Sequence, residues 1–583
     1  MISLLLSLTV TLLLLPFTLS LTFQNLTYTH PSLKNPILTS LSGTIPPSSL
    51  TYIIGPSGSG KTSLINILTN RVTSGSITGS IFDDDNVAYV TQDDGLHAFL
   101  TVQETVDFWI DLLLPKLIKD DRRMKGDEFI NKFNLDKSRK TLIGNAKIRG
   151  ISGGERKRLS ILLSLILPKS YLFLDEPFSG LDTTSIELVQ DCLKNLREKE
   201  GVAIVIVSHD LKNVGGEIWG LSEGKIVYRG GENNVEKFFK GKGIQDVRDL
   251  EKMMDVLTKG VDFSDERDFM VREGDNNDLI LKKNTSPLLP TREHNKKKSL
   301  CPPSSFIRQT LHLTKRALIE TYRSRGSTII KAITQVSIGL IYGTLYQIKN
   351  NQAGVYDRFG LLSLISIGGL NLSLAGTIRA FPKERVLIKK EQSERLFSIG
   401  PYFISKALSG LPVTVGLSCL FGSVVYPLTG LNPERFKTFL SLLTVHSVTA
   451  EALGLLISSL SGSEEKALAF FAPLTVLQVI FDGRNLSYEN TPRFLRPLQG
   501  LSLVRLNWQS LAINEFKGLK FSKKDRRGKN VIESGDDALE IFGIEGSIWD
   551  RVKKQLKFVG VCWGMAVATL VGGGGFVRIK DDK

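Results

Sequence analysis

Apolar residues along this chain are arranged in two different ways. Between about residues 50 and 260 they come as short blocks, such as Thr51-Tyr-Ile-Ile54, Tyr171-Leu-Phe-Leu174 and Ala203-Ile-Val-Ile-Val207, separated by polar stretches. Short apolar blocks bounded by turn residues predict buried strands of a soluble α/β domain. From 329 to 577 the apolar runs lengthen to near 20 residues, the length a helix needs to cross a bilayer. Six spans are predicted, at about 329–348, 359–378, 404–427, 438–460, 466–482 and 558–577.

The pattern changes sharply at the edges of these regions. Residues 262–300 are polar, first acidic and then basic with Pro287 and Pro290, and keep no apolar period, which predicts a disordered linker. Phe306-Ile-Arg-Gln-Thr-Leu-His-Leu then has helical spacing, with Arg308, Lys315, Arg316, Arg323 and Arg325 beside it. A basic amphipathic helix ahead of a span predicts a segment lying along the inner membrane surface. The expected layout is an apolar segment 1–20, an ATPase domain 21–261, the linker 262–300, a connecting helix 301–328 and a membrane domain 329–583 with an external loop at about 484–553. The first segment is uncharged from Leu4 to Leu21 and lacks a basic n-region. Signal, anchor and misplaced start all remain open for it.

Charge and cysteine change little. The net charge of +15 excludes no class, but no basic run is interleaved with aromatics, and membrane proteins gather Lys and Arg in their loops. Nucleic acid is therefore not an expected partner. Cys192, Cys301, Cys419 and Cys562 show no paired spacing, so neither a disulfide framework nor a zinc site is indicated.

The candidate chemistry lies in the first half. Gly55-Pro56-Ser57-Gly58-Ser59-Gly60-Lys61-Thr62 follows a strand pattern and precedes a helix pattern that begins at Ser63. It fits the phosphate-loop motif G-x-x-x-x-G-K-[ST] without mismatch. The glycines let the backbone curl so that its N–H groups point at phosphate, and the following helix adds its positive end. Lys61 is expected at the β/γ-phosphates of ATP and Thr62 at Mg²⁺. The block Tyr171–Leu174 ends in Asp175-Glu176-Pro177, a strand end that delivers carboxylates beside the loop. Asp175 is expected to bind Mg²⁺ through water and Glu176 to polarise the attacking water.

Ile151-Ser152-Gly153-Gly154-Glu155-Arg156-Lys157-Arg158 resembles the signature loop of ABC proteins, in the form found in G-subfamily (White–Brown) half-transporters. Other landmarks stand in order around it. Gln92 resembles the Q-loop glutamine, Ser179-Gly-Leu-Asp182 the D-loop, His209 the switch histidine, and Tyr28, 33 residues before Lys61, the aromatic that stacks on adenine. The resemblance implies that Ser152, Gly153 and Gly154 close over the ATP of a second domain, with Asp182 at the junction. Gln92 would reach the metal and relay nucleotide state, and His209 would meet the γ-phosphate. One phosphate loop and one signature per chain imply a dimer, with itself or with another half-transporter. Asp210-Leu211 stand where the family has Gln-Pro, and the 60 residues from Gln92 to Ser152 are few for the helical subdomain.

The resemblance extends into the membrane half through Phe381-Pro-Lys-Glu384-Arg385, Gly400-Pro-Tyr-Phe403, Asn490-Thr-Pro492 and Ile513-Asn-Glu-Phe516, the last two as in the plant half-size branch. It covers about residues 21–580. Arg379, Lys383, Arg385, Lys389, Lys390 and Arg395 lie between the second and third spans and place that segment in the cytosol (or stroma), with the ATPase. The basic run from Lys517 to Lys529 opposes this by charge alone. His446 and Glu451 in the fourth span are intramembrane ionisable groups and hence candidates for a substrate pathway. Five residues apart, they face different sides of a helix. The expected fold is an α/β P-loop ATPase followed by an all-α, six-helix ABC-2-type membrane domain. Its expected activity is ATP-driven translocation of a hydrophobic or lipid-like small molecule, among membrane lipid. The alternative is a membrane-anchored ABC ATPase with a regulatory role.

Overall fold

The computed structural model describes residues 20–72, 74–82, 86–208, 216–231, 234, 304–461, 463–486, 491–521 and 532–571. It divides into two compact units, Met1–Pro303 and Ser304–Lys583. The amino-terminal apolar run to residue 19, the linker 262–300, His209-Asp210-Leu211, Asn490 and the basic cluster from Lys523 to Lys529 lie outside the described residues.

The first unit has two sheets. Strands β1 (Leu21–Thr29), β2 (Leu38–Ile45) and β4 (Ser76–Phe82) form an antiparallel sheet in the order β2-β1-β4. The second sheet takes β3 (Leu50–Ile54), β5 (Val87–Val90), β6 (Tyr171–Asp175), β7 (Ala203–Val207), β8 (Glu217–Ser222) and β9 (Lys225–Gly231), in the order β5-β6-β7-β3-β8-β9. All neighbours are parallel except the last pair. The apolar blocks read from the sequence are its central strands, and β6 and β7 are buried along their whole length, as parallel strands covered on both faces must be. Phe23 of β1 meets Trp219 of β8 at 5.9 Å between ring centroids, joining the two sheets through one core.

Helix α1 (Lys61–Leu68) follows β3 directly. The interval after β5 holds α2 (Val102–Leu113) and α3 (Lys119–Lys132). Short as it is, it builds a helical layer. Thr101 and Glu104 form a reciprocal cap that starts α2, and Asp111 pairs with Arg122 to tie α3 back onto it. Helix α4 (Gly153–Ser164) leads to β6, and α5 (Thr183–Glu200) leads to β7.

The second unit is helical. Ahead of the spans, α6 (Phe306–Arg323) ends at Ser324 and α7 (Arg325–Leu345) begins at once. Then come α8 (Gln352–Ser393), α9 (Ile399–Thr429), α10 (Phe436–Leu460) and α11 (Glu464–Ile480). Among the described residues four helical stretches are long and apolar enough to cross a membrane: Arg325–Leu345, Gln352–Pro382, Ile399–Thr429 and Pro433–Leu460. The fifth predicted span forms as α11 with 17 residues. The sixth lies in α15 (Ile548–Val571), whose first three turns carry Asp550, Arg551, Lys553, Lys554 and Lys557. The count of six crossings is thus approximate.

Two elements differ from the sequence reading. The basic segment 379–395 is largely helix, because α8 runs unbroken through it for 42 residues with Pro382 inside. The stretch 484–553 is more than a loop and contains α12 (Arg496–Leu501), α13 (Leu503–Phe516) and α14 (Gly535–Ile541). Helix α13 is buried almost throughout. Phe516 at its end and Phe542 beyond α14 stack on Phe359 of α8 at 4.4 and 3.9 Å.

Candidate functional site: a phosphate loop at the carboxyl edge of the parallel sheet

The site forms where β3, β6 and β7 end side by side. Strand β7 lies between the other two, pairing Asp175 with Val207 on one flank and Ile53 with Val207 on the other. Open α/β sheets collect ligands at this edge. Gly55 leaves β3 pressed against the next strand, and a Cβ there would lie 2.2 Å from the Leu221 carbonyl oxygen. Gly60, at φ +98, turns the chain into α1, where a Cβ would strike Leu38 at 2.5 Å. Between them Pro56 is half-buried, and Ser57 and Gly58 are open to solvent. Ser59 is buried, and its hydroxyl has no hydrogen-bond partner. No side chain caps α1, so its first N–H groups face the loop.

Lys61 is 6% exposed and donates to the carbonyls of Gly55 (2.7 Å) and Pro56 (2.8 Å). Burial pushes its pKa below the usual lysine value, against the opposing pull of Glu176 and Asp175. Burial raises the pKa of Asp175, although Tyr89 donates to its Oδ2 at 3.2 Å and Thr62 also hydrogen-bonds it. These groups fit a bound nucleotide. A buried cation with only carbonyl partners, an uncapped helix start, an orphaned hydroxyl and a carboxylate disfavoured as an anion each lack something that a phosphate and its cation would supply. The donors around the cation position are all oxygens, as Mg²⁺ prefers.

The other predicted residues fall in three places. Gln92, just past β5, donates its amide to Glu176 Oε2 at 2.7 Å. Glu176 sits just past β6 at φ +44, a backbone region costly for a side chain of its size. Ser152 starts α4 with a reciprocal cap, accepting from the Glu155 N–H while the Glu155 carboxylate accepts from the Ser152 N–H. Gly154 is packed so closely on α5 that a Cβ would lie 2.5 Å from that of Ser185. Asp182 caps α5 through the Ser185 N–H, and hydrogen bonds from the Ser185 hydroxyl and then its N–H lower the Asp182 pKa. Ser63 stands in the first turn of α1.

Tyr28 is different. Its ring is 6% exposed inside the antiparallel sheet, packed over Gly75, with its hydroxyl donating to Ser74 O at 3.1 Å. Only its backbone neighbours the loop, through Ile37 and Leu38. The structure does not offer that ring as an open stacking face.

Sequence reading missed Tyr89 and Lys157. Lys157 is 4% exposed, donates to Gln92 O (2.9 Å) and Thr91 O (3.3 Å), and pairs with Asp94 at 2.9 Å. It ties the signature helix to the backbone that carries Gln92. A lysine three residues past two glycines looks like an ordinary solvated helix residue, and only the fold brings Asp94 to it.

Comparison with known proteins agrees with this arrangement. Residues 38–179 match the family described as ABC transporter, and residues 308–516 the family described as ABC-2 type transporter. "ABC transporter G family member 7" of Arabidopsis thaliana is 31% identical over 553 residues, which cover 88% of this chain and 75% of that protein. "ABC transporter G family member 22" of the same plant is 30% identical over 544 residues, covering 83% and 72%. "Broad substrate specificity ATP-binding cassette transporter ABCG2" of Bos taurus is 27% identical over 583 residues, covering 90% and 88%. A phosphate loop, a carboxylate pair and a signature helix ahead of apolar helices define an ATP-binding cassette transporter. The chain belongs to the ABC transporter G family, and as a half-transporter it binds and hydrolyses ATP to drive transport across a membrane.

Asp175→Asn separates nucleotide binding from fold stability. The amide keeps the Tyr89 contact and relieves the buried carboxylate, so the nucleotide-free protein should melt no lower than wild type. The upward shift with ATP and Mg²⁺ should fall to a small fraction. Melting of the purified full chain with and without ATP and Mg²⁺ measures both, and a full nucleotide shift in the variant removes Asp175 from the site.

Proposed function

We propose that the chain works as a dimer with two composite ATP sites and exports a hydrophobic or lipid-like molecule from the side of the membrane that holds ATP. The observation that carries the dimer is Ser152. In its cap the hydroxyl only accepts, from the Glu155 N–H at 3.2 Å, so its own hydrogen remains to be donated to a phosphate across an interface. The first N–H groups of α4, at Gly153 and Gly154, point the same way along the helix axis. The partner is a second copy or a related half-transporter.

Within each composite site the phosphate loop from Gly55 to Ser63 holds the phosphates, with Lys61 moving from its carbonyl partners to the β/γ-oxygens. Thr62, Asp175 and Gln92 would hold Mg²⁺, which would supply positive charge against the phosphates. Glu176 orients the attacking water, and its bond from Gln92 keeps the carboxylate turned toward that position until nucleotide arrives. His209 is assigned to the γ-phosphate and Asp182 to the interface. The match of residues 308–516 to the family described as ABC-2 type transporter disfavours the regulatory alternative. A relative named for broad substrate specificity is consistent with a permissive apolar cargo.

Glu176→Gln should bind ATP and Mg²⁺ with near wild-type affinity while hydrolysis falls by at least 100-fold, since the amide cannot accept a proton from the water. Turnover near wild type in that variant would take Glu176 out of this role.

The composite site is tested by mixing. Lys61→Ala and Ser152→Arg chains should each be inactive alone. Their mixed dimer gathers both defects into one site and leaves the other intact, so ATPase activity and ATP-driven uptake of a lipid probe into inverted vesicles should partly return. Full activity from a demonstrably monomeric wild type overturns the proposal.

Sidedness rests on the basic segment 379–395. With native cysteines replaced, a membrane-impermeant thiol reagent should label Lys524→Cys in intact cells and leave Lys389→Cys untouched. The reverse pattern would mean that the basic run 517–529, and not the family likeness, marks the inner face.

A further inference from the structure

Helices α7, α8, α9, α10 and α15 enclose a cavity of about 290 Å³ within the membrane unit of a single chain. Its walls combine aromatic surface, including Phe381, Phe403 and Trp563, with three charged side chains, Lys331, Lys406 and Glu451. Charges among membrane-spanning helices are costly and mark function, and here two of the three are accounted for. The Thr414 hydroxyl donates to Glu451 Oε1 at 2.6 Å. Lys406 pairs with Glu384 at 2.6 Å. Among the described residues no carboxylate makes an ion pair with Lys331. His446 stands apart from the cavity, its Nε2 lying 2.8 Å from the Ser366 carbonyl oxygen.

Three further features make this a built site. The Lys331 side chain lies against α8 at Gly376, where a Cβ would be in ordinary contact with Nζ at 3.5 Å and Cε at 3.7 Å. At Gly410 on the facing wall a Cβ would meet nothing within 4 Å, so there is open space beside α9. Ile330 lines the cavity yet is 66% exposed, and only 11% of the apolar stretch of α7 is buried. The α7 side is therefore open to the surroundings, which for an apolar spanning helix means lipid. The volume is at the small end for ligand cavities, enough for a head group and the upper part of one chain.

We propose that this cavity binds a single-chain amphiphile with an anionic head, a carboxylate or a phosphate monoester, which enters past α7. Lys331 pairs with the head, and the chain lies against Phe381, Phe403 and Trp563. Glu451 sets the selectivity, because its charge repels a second anionic group while one lysine stays available for the first. The inference deepens the reading of a lipid-like cargo by naming a head-group class and a place inside one chain rather than between two.

Trp563 provides the readout. Full-length protein in phosphatidylcholine nanodiscs is titrated with a lysophosphatidate brominated in its chain, or with a monoacylglycerol carrying the same chain. Trp549 is 70% exposed and any bilayer-resident bromine will quench it. Occupancy is therefore the quenching seen in wild type minus that in Trp563→Phe. The lysophosphatidate should quench saturably at a concentration at least tenfold below the monoacylglycerol. Lys331→Gln should abolish that preference, Lys331→Arg should retain it, and Gly410→Phe should remove the Trp563-dependent quenching by both probes. Equal quenching by both probes in wild type, the result expected of a lysine that only reaches out to the interface, overturns the proposal. So does a preference that survives Lys331→Gln, and so does displacement of the lysophosphatidate by inorganic phosphate alone, which would mean a plain anion site. If wild type shows no preference but still carries lipid in vesicles, the cavity assignment fails and the reading of lipid-like cargo stands.

Discussion

Lys61 is a buried ammonium that donates hydrogen bonds to two backbone carbonyls of its own loop, and much of the ATPase unit is arranged around it. A cation removed from water needs compensation. The loop provides it by turning the Gly55 and Pro56 carbonyls inward, which requires a backbone that no side chain obstructs. That is why Gly55 must lie against Leu221 and Gly60 against Leu38. The carboxylates of Asp175 and Glu176 add long-range support, and they are available only because β6 ends level with β3 across β7. The strand order is therefore part of the site. A sheet in simple sequential order would separate the lysine from the carboxylates.

The membrane unit solves the same problem with permanent pairs. Arg316 of α6 meets Glu391 at the end of α8 at 2.5 Å, with both side chains nearly fully buried. Arg358, also of α8, meets Glu515 of α13 at 3.1 Å, and Glu515 accepts from the Asn432 N–H as well. Removing one partner of such a pair leaves a buried charge and costs roughly 3–5 kcal/mol. One helix, α8, thus carries an ion pair near each end. Its 42 residues act as a strut that fixes α6 at one end and α13 at the other. The groups around the cavity are less tightly matched, and that contrast is what separates scaffold charges from charges available to a ligand.

How much of this was legible depended on whether the information was local. The phosphate loop, the strand ending in Asp175 and the cap at Ser152 are set by fixed short spacings, and they form where those spacings put them. Tyr28 was placed by its distance from Lys61, but burial is decided by the other sheet partners, and the ring packs over Gly75. Helix α13 is hidden in the sequence because its polar residues, Asn507, Gln509, Ser510 and Asn514, look like loop chemistry. In the fold all four are buried; Asn507 bonds Ser366, Gln509 accepts from Arg551 and Asn514 donates to the Arg435 carbonyl, while Ser510 donates to the Leu506 carbonyl of its own helix. The helical continuation through 379–393 was masked by its charges, which suggest a loop after an apolar span. A helix interrupted only by Pro382 can carry those charges on its flanks while keeping Phe381 and Ile388 buried.

The side chain with the longest consequences is then Lys157, which stands inside the signature motif but is given no role by it. Its ammonium holds the Gln92 carbonyl, while the Gln92 amide holds Glu176. The start of its helix is fixed from the other side, because Gly154 sits against Ser185 and Asp182 caps α5. A shift of α4 relative to β5 therefore cannot leave Gln92 where it is, and a shift of Gln92 cannot leave Glu176 where it is. The chain of contacts is short, buried at Lys157 and made of charge-assisted bonds, which are stronger and more directional than neutral ones. A domain built this way links the helix that starts at Ser152, Gln92 and the strand-end Glu176 through one chain of contacts. Each of the three lies on a different element, and sequence spacing alone would leave them independent.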